Sequence, residues 1–288
     1  MVGKLVSWWR WGRWVSLAYL SLCLSLYLYQ ERLIFKPETA IKTTPADRNL
    51  AYQEVWVPVD QTGGADKLYG WWLPAQGKTI GTILYLHGYS GNIGENLTPA
   101  YQLTQLGFAV FLVDYRGYGK SQGTFPFERQ IYADAEVAWN YLTTTRKISP
   151  KQIVIYGHSM GGAIAIDLAT HHPEASSLIV QSSFTNLLAI AERSWWAKVV
   201  PIQLLLTQKF DSLAKVRSLK IPTLYIHGTG DDFVPPEMSR TLYTASSVAN
   251  KQLILVTNAK HKNSDLEFAT PEHLETVTQF IRQNIALK

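Results

Sequence analysis

Beyond residue 50 the chain consists of short apolar runs separated by longer stretches whose apolar positions recur every three or four residues. Runs at 82–86, 108–113, 153–156, 178–180, 223–226 and 253–256 are bounded by turn residues, the pattern of strands covered on both faces. Ahead of them, 51–59 and 67–73 are rich in Val, Trp and Tyr and flank Gly63-Gly64, which predicts a hairpin. Helical periodicity over 96–105, 129–144, 160–170, 236–245 and 271–283 fills the gaps. A hairpin followed by strand–helix alternation predicts an α/β fold with one mostly parallel, eight-stranded sheet and helices on both faces. In such sheets ligands bind beyond the C-terminal ends of the strands, so chemistry is sought in the loops there.

The first 50 residues follow another pattern. Residues 14–30 carry no charge and as a helix would extend about 25 Å, near the ~30 Å of a bilayer core. Trp8, Trp9, Trp11 and Trp14 stand at one end of this run and Tyr27 and Tyr29 at the other, positions suited to interfacial aromatics. The expectation is a single-pass transmembrane anchor at 14–30, behind a basic, Trp-rich tail at 1–13 and ahead of a polar linker at 31–50. One domain then occupies 51–288. A cleaved signal sequence fits less well because no suitable site follows Tyr29, and a surface-lying helix because the polar residues are scattered serines. Lys4, Arg10, Arg13 and the free amine, set against Arg32, Lys36 and Lys42, slightly favour a cytoplasmic N-terminus.

Charge and cysteine usage narrow the partners. The net charge is +5, and the three basic residues of the tail account for most of it. The near-balanced remainder carries no electrostatic footprint for nucleic acid. A single Cys excludes an internal disulfide and a Cys-based zinc site.

The most informative stretch is Gly157-His158-Ser159-Met160-Gly161, between a predicted strand and a predicted helix. G-x-S-x-G at such a junction forces a sharp turn that lifts the serine hydroxyl above the sheet, and the flanking glycines avoid collisions with neighbouring backbone. A serine hydroxyl needs a base within hydrogen-bond reach. Of seven histidines, His171 and His172 lie far along the helix, and His87 and His227 sit at strand ends where they order loops. His158 shares the turn and is expected to face elsewhere, and His273 opens the last helix. His261, in the loop after the last strand, remains. Asp231 and Asp232, after another strand, offer a carboxylate to orient it, in the chain order Ser, acid, His. The backbone N–H of Met160 and that of Tyr89, in the loop after 82–86, are the expected donors to a developing oxyanion. No cofactor and no metal ligand set is implied. Gly119-Lys120-Ser121 lacks the earlier glycine of a phosphate loop, and Asp134 and Asp167 read as exposed or capping helix residues.

Together these residues resemble the α/β-hydrolase fold, from about Leu33 to the C-terminus. The resemblance is to membrane-anchored serine hydrolases of the α/β-hydrolase domain-containing 13 and 17 kind. It rests on Leu33-Ile-Phe-Lys-Pro37, His87-Gly-Tyr-Ser-Gly-Asn92, Asp114-Tyr-Arg-Gly-Tyr-Gly-Lys-Ser121, the Ser159 elbow, His227-Gly-Thr-Gly-Asp231 and His261. The family's H-G-x-x-D-x-x-V-P pattern matches the acid to Asp231 rather than Asp232. The resemblance implies a catalytic domain at 51–288 that cleaves esters or thioesters through an acyl-enzyme on a Ser159–Asp231–His261 triad, without cofactor. Lipid-like or acylated substrates are expected. A peptidase of the serine aminopeptidase type and an acyltransferase using the same triad are the alternatives; a non-enzymatic binding protein need not keep the complete set. Residues 184–218 form a short lid-like segment, too short for a full cap domain. Its apolar residues are read as packing against the sheet, with an acyl-binding groove or a dip toward the membrane as the other readings.

Overall fold

The computed structural model describes residues 2–59, 66–261 and 271–285. A long helix, α1 (Val2–Ile34), precedes the sheet strands β1 (Gln53–Pro58), β2 (Lys67–Leu73), β3 (Gly81–Leu86), β4 (Phe108–Val113), β5 (Ile153–His158), β6 (Ser177–Gln181), β7 (Thr223–Gly228) and β8 (Lys251–Val256). Between and after them lie α2 (Leu97–Gln105), α3 (Glu128–Asn140), α4 (Met160–His171), α5 (Leu187–Ala191), α6 (Ile202–Leu205), α7 (Ser212–Lys215), α8 (Pro236–Ala245) and α9 (Pro271–Asn284). The sheet order is β8-β7-β6-β5-β3-β4-β2-β1. Strands β3 to β8 run parallel, while β2 is antiparallel to both neighbours, so the sheet is mixed. The Gly63-Gly64 turn of the expected hairpin lies outside the described residues.

Every residue of β3 to β7 is buried, which explains their unbroken apolar runs. Two cores cover the two faces: one includes residues of α3, α4 and α8, the other residues of α2 and α9. α4 is buried through ten consecutive residues from Met160 to Ala169, so its pattern is apolar all round rather than striped. The stretch after α1 is laid along the domain. Phe35 is buried, and Lys36–Pro37 pair in parallel with Ser90–Gly91.

The expected transmembrane anchor is not found. Among the described residues no helix is long and apolar enough to cross a membrane, and the expectation of a single-pass membrane location, with its orientation, falls with it. α1 has the length, but the Trp, Tyr and Ser residues spread along it dilute its hydropathy. One of its faces is also already taken by protein. The Tyr19 hydroxyl donates to the Val199 carbonyl (2.9 Å), and Cys23 is buried with Val200 and Ile202 in a small separate core.

Candidate active site

Ser159 joins β5 to α4 in a left-handed conformation, φ 56° and ψ −120°. A non-glycine residue pays for such a backbone only where its surroundings over-determine it. They do so here: Ser159 N–H donates to the Gln181 carbonyl of β6 (2.8 Å), and its own carbonyl accepts from Gly162 N–H (2.9 Å). A side chain on Gly157 would collide with the Gly161 carbonyl, and one on Gly161 with the Leu86 carbonyl. The elbow therefore packs backbone on backbone against β3.

The structure brings Ser159, His261 and Asp231 together. Ser159 Oγ lies 3.0 Å from His261 Nε2, and His261 Nδ1 lies 2.7 Å from Asp231 Oδ2. A carboxylate only accepts, so Nδ1 carries the proton and Nε2 is left to accept from the serine hydroxyl. Asp231 has no exposed side-chain surface. Its Oδ1 accepts from the Phe233 and Val234 N–H groups (3.0 and 2.8 Å), and His227 Nε2 stands 3.2 Å from Oδ2. Burial alone would raise its pKa; hydrogen bonds from His227 and His261, the His261 charge and the Val234 N–H overcome this and hold the carboxyl well below the usual range. Asp232 is different: its side chain is 89% exposed and pairs with Lys260 (3.0 Å). A serine that donates to a neutral imidazole backed by a buried carboxylate can lose its proton as it attacks a carbonyl carbon.

The remaining histidines fall into structural positions. His227 orders the Asp231 loop, with Nε2–H donating to the Val234 carbonyl (2.9 Å) and Nδ1 accepting from Ser239 Oγ (2.6 Å). His87 is buried between Tyr115 and Tyr118. His172 stacks on Trp139 and reaches Glu136. His158 does not face away, as expected, but lies beside His261 and donates from Nε2 to its carbonyl (3.2 Å). Burial, then the neighbouring His261, pushes it down to about 3, so it stays neutral at neutral pH. The His273 side chain and the 262–270 part of the His261 loop lie outside the described residues. Asp134 and Asp167, read as exposed or capping helix residues, are instead buried and paired with Arg116 (2.7 Å) and Lys215 (2.7 Å).

Tyr89 and Met160 both border Ser159 in a cavity of about 320 Å³. Phe184, Leu187, Ile190, Trp196, Leu205 and Leu206 from the 184–218 segment line it, and of these Phe184, Leu187 and Ile190 also pack on the core at one face of the sheet. Leu26, Gln30, Leu33 and Ile34 of α1 line it too; sequence reading missed them because an anchor leaves no reason to look there. Ser159 and Tyr89 also border a second, more polar cavity of about 400 Å³, lined by Ser90, Glu95, Asn96, Thr98, His158 and His261. Tyr89, which lines both, stacks on Phe233 of the first (ring centroids 5.8 Å apart). Among the described residues no group of three or more His, Cys, Asp or Glu is placed to hold a metal ion.

Residues 77–210 match the family model described as serine aminopeptidase, S33. An uncharacterized protein of Mycobacterium tuberculosis is 30% identical over 259 residues, covering 88% of this chain and 87% of that protein. The α/β-hydrolase domain-containing protein WAV2 of Arabidopsis thaliana is 28% identical over 270 residues, covering 87% and 83%. Among solved structures, the esterase Pf2001 of Pyrococcus furiosus superposes with a TM-score of 0.69 at 22% identity, over 88% of this chain and 98% of its own. The chain belongs to the α/β-hydrolase family, and its class is that of a serine hydrolase. These relatives establish the family and not the narrower 13 and 17 kind.

Proposed function

We propose that the protein hydrolyses carboxylic esters or thioesters with an aliphatic acyl group, through an acyl-enzyme on Ser159. The observation that carries this reading is that Ser159 borders two cavities, one strongly apolar and one more polar. The first suits an acyl chain, the second a leaving group and then water. Ser159 Oγ attacks the acyl carbon while His261 Nε2 takes its proton; Asp231 holds the tautomer and stabilises the imidazolium. The N–H groups of Tyr89 and Met160 receive the oxyanion. His261 then protonates the leaving oxygen or sulfur, and the same steps with water release the acid.

A peptidase is the second reading, favoured by the description of the matched family model and by Glu95 at the rim of the polar cavity, where a carboxylate can hold a substrate amine. Rates on p-nitrophenyl acyl esters and on aminoacyl p-nitroanilides separate the two. The esterase reading expects the esters to be preferred and Ser159→Ala and His261→Ala each to lose about 10⁶-fold in turnover, as in another serine hydrolase. Preference for the anilides would overturn it in favour of the peptidase.

A further inference from the structure

Tyr19, Cys23, Leu26, Gln30, Leu33 and Ile34 recur at helical spacing and form one stripe of α1. Its first half docks on the 184–218 segment, through the Tyr19–Val199 hydrogen bond and the small core of Cys23, Val200 and Ile202. Its second half lines the apolar cavity beside Ser159.

Gln30 stands where these halves meet, and it is buried. Its Nε2 donates to the carbonyls of Tyr27 (2.8 Å) and Leu205 (3.3 Å). Its Oε1 accepts from Thr207 N–H (2.8 Å), Thr207 Oγ1 (3.0 Å) and Gln208 N–H (3.4 Å). A primary amide has two donors and two lone pairs, so these contacts consume it. Gln30 therefore offers no free polar group to a ligand in the cavity; it fastens the helix to the segment across the cavity roof. Three of its partner residues, Leu205, Thr207 and Gln208, lie some 175 positions or more away in the chain, so the contact closes the cavity between distant parts of the molecule.

We infer that α1 is a wall of the acyl-binding site and sets the acyl chain length accepted, with Leu26 and Leu33 as specificity-determining residues and Gln30 as the residue that positions them. The inference rests on the ester or thioester reading. Leu26 is half-buried between the core shared with the segment and the cavity; Leu33 is 57% exposed at the cavity mouth. Enlarging either side chain shortens the space for the end of an acyl chain, and releasing Gln30 loosens the wall that bounds it.

The test is the ratio of kcat/KM across acetyl, butyryl, octanoyl and dodecanoyl p-nitrophenyl esters, for the full-length wild type and four variants. Leu26→Trp and Leu33→Trp are expected to lower the ratio of the longer to the acetyl ester by at least about tenfold, the effect of losing two buried methylenes. Gln30→Leu removes the fastening and is expected to flatten the wild-type length preference. Leu28→Trp places the same bulk on the opposite, 61% exposed face and is expected to follow the wild type. The more exposed Leu33 keeps the test usable if Leu26→Trp fails to fold. Wild-type length profiles in both Leu33→Trp and Gln30→Leu would overturn the inference alone. A wild type that cleaves no ester of the series would overturn the underlying reading, and the inference with it.

Discussion

The Asp231 carboxylate is enclosed by Phe233, Val234, His227 and His261, whereas Asp232 one residue later extends into solvent toward Lys260. Asp231→Asn is expected to lower turnover by about 10⁴-fold with little change in folding, because an amide cannot fix the His261 tautomer. Asp232→Asn is expected to stay near wild type; ester kinetics on the pair decide which aspartate serves His261. His158 gives a pH prediction. Burial first, then the His261 charge, brings its folded value down to about 3 from 6.5, so the unfolded chain takes up the proton first. Its contribution to stability is complete above pH 6.5 and is lost as pH falls toward 3, at up to about 1.4 kcal/mol per unit. Urea unfolding at pH 7 and 4.5 should show a smaller loss on acidification for His158→Gln than for the wild type; equal losses would refute it. Ser159 and His261 were legible in the sequence, one by its glycine spacing and the other by elimination. The choice between Asp231 and Asp232 needed the family pattern. The facing of His158 was not legible, because the φ of the following Ser159 turns the chain in a way no periodicity records.

The segment Asp114–Ser121 is an element without regular structure, and its contacts show why it is built as it is. Asp134 of α3 fixes its start by accepting from Arg116 N–H (2.8 Å) and Nε (2.7 Å). Tyr115 then donates to the His87 carbonyl (3.0 Å) and Tyr118 to the Tyr89 carbonyl (2.7 Å). The Tyr89 carbonyl also accepts from Lys36 N–H (3.0 Å), so the loop bearing the proposed Tyr89 oxyanion donor is clamped from two sides. Removing one clamp leaves binding in place but lets the donor drift. Tyr118→Phe is expected to lower kcat about fivefold to tenfold, the worth of one hydrogen bond, with KM nearly unchanged. A matching rise in KM with kcat preserved would assign Tyr118 to substrate binding instead. The string Asp114-Tyr-Arg-Gly-Tyr-Gly-Lys-Ser121 could be read as a shared motif but not as a clamp, since its partners lie 18 to 29 residues away. Asp134 was read as exposed or capping for the same reason: the cation that anchors it belongs to another element.

At the scale of the molecule, strand and helix order were legible because a sheet buried on both faces writes itself as unbroken apolar runs, and the described strands begin and end within two residues of those runs. The N-terminal helix was not. An apolar stripe reads alike whether lipid or protein covers it, and the surface that covers Cys23 and Gln30 and bonds the Tyr19 hydroxyl is folded from residues 199–208. The result is a sheet that carries Ser159, Asp231 and His261 at its strand ends, roofed by two segments from distant parts of the chain. The central claim is that Ser159 is the activated nucleophile of this arrangement. The most direct measurement is covalent labelling of the purified full-length protein with a fluorophosphonate, the modified residue being located by peptide mass mapping. The account predicts a single phosphonylated serine, Ser159, with no labelling there in Ser159→Ala and almost none in His261→Ala. A folded wild type that stays unlabelled, or a label on another serine, would contradict it.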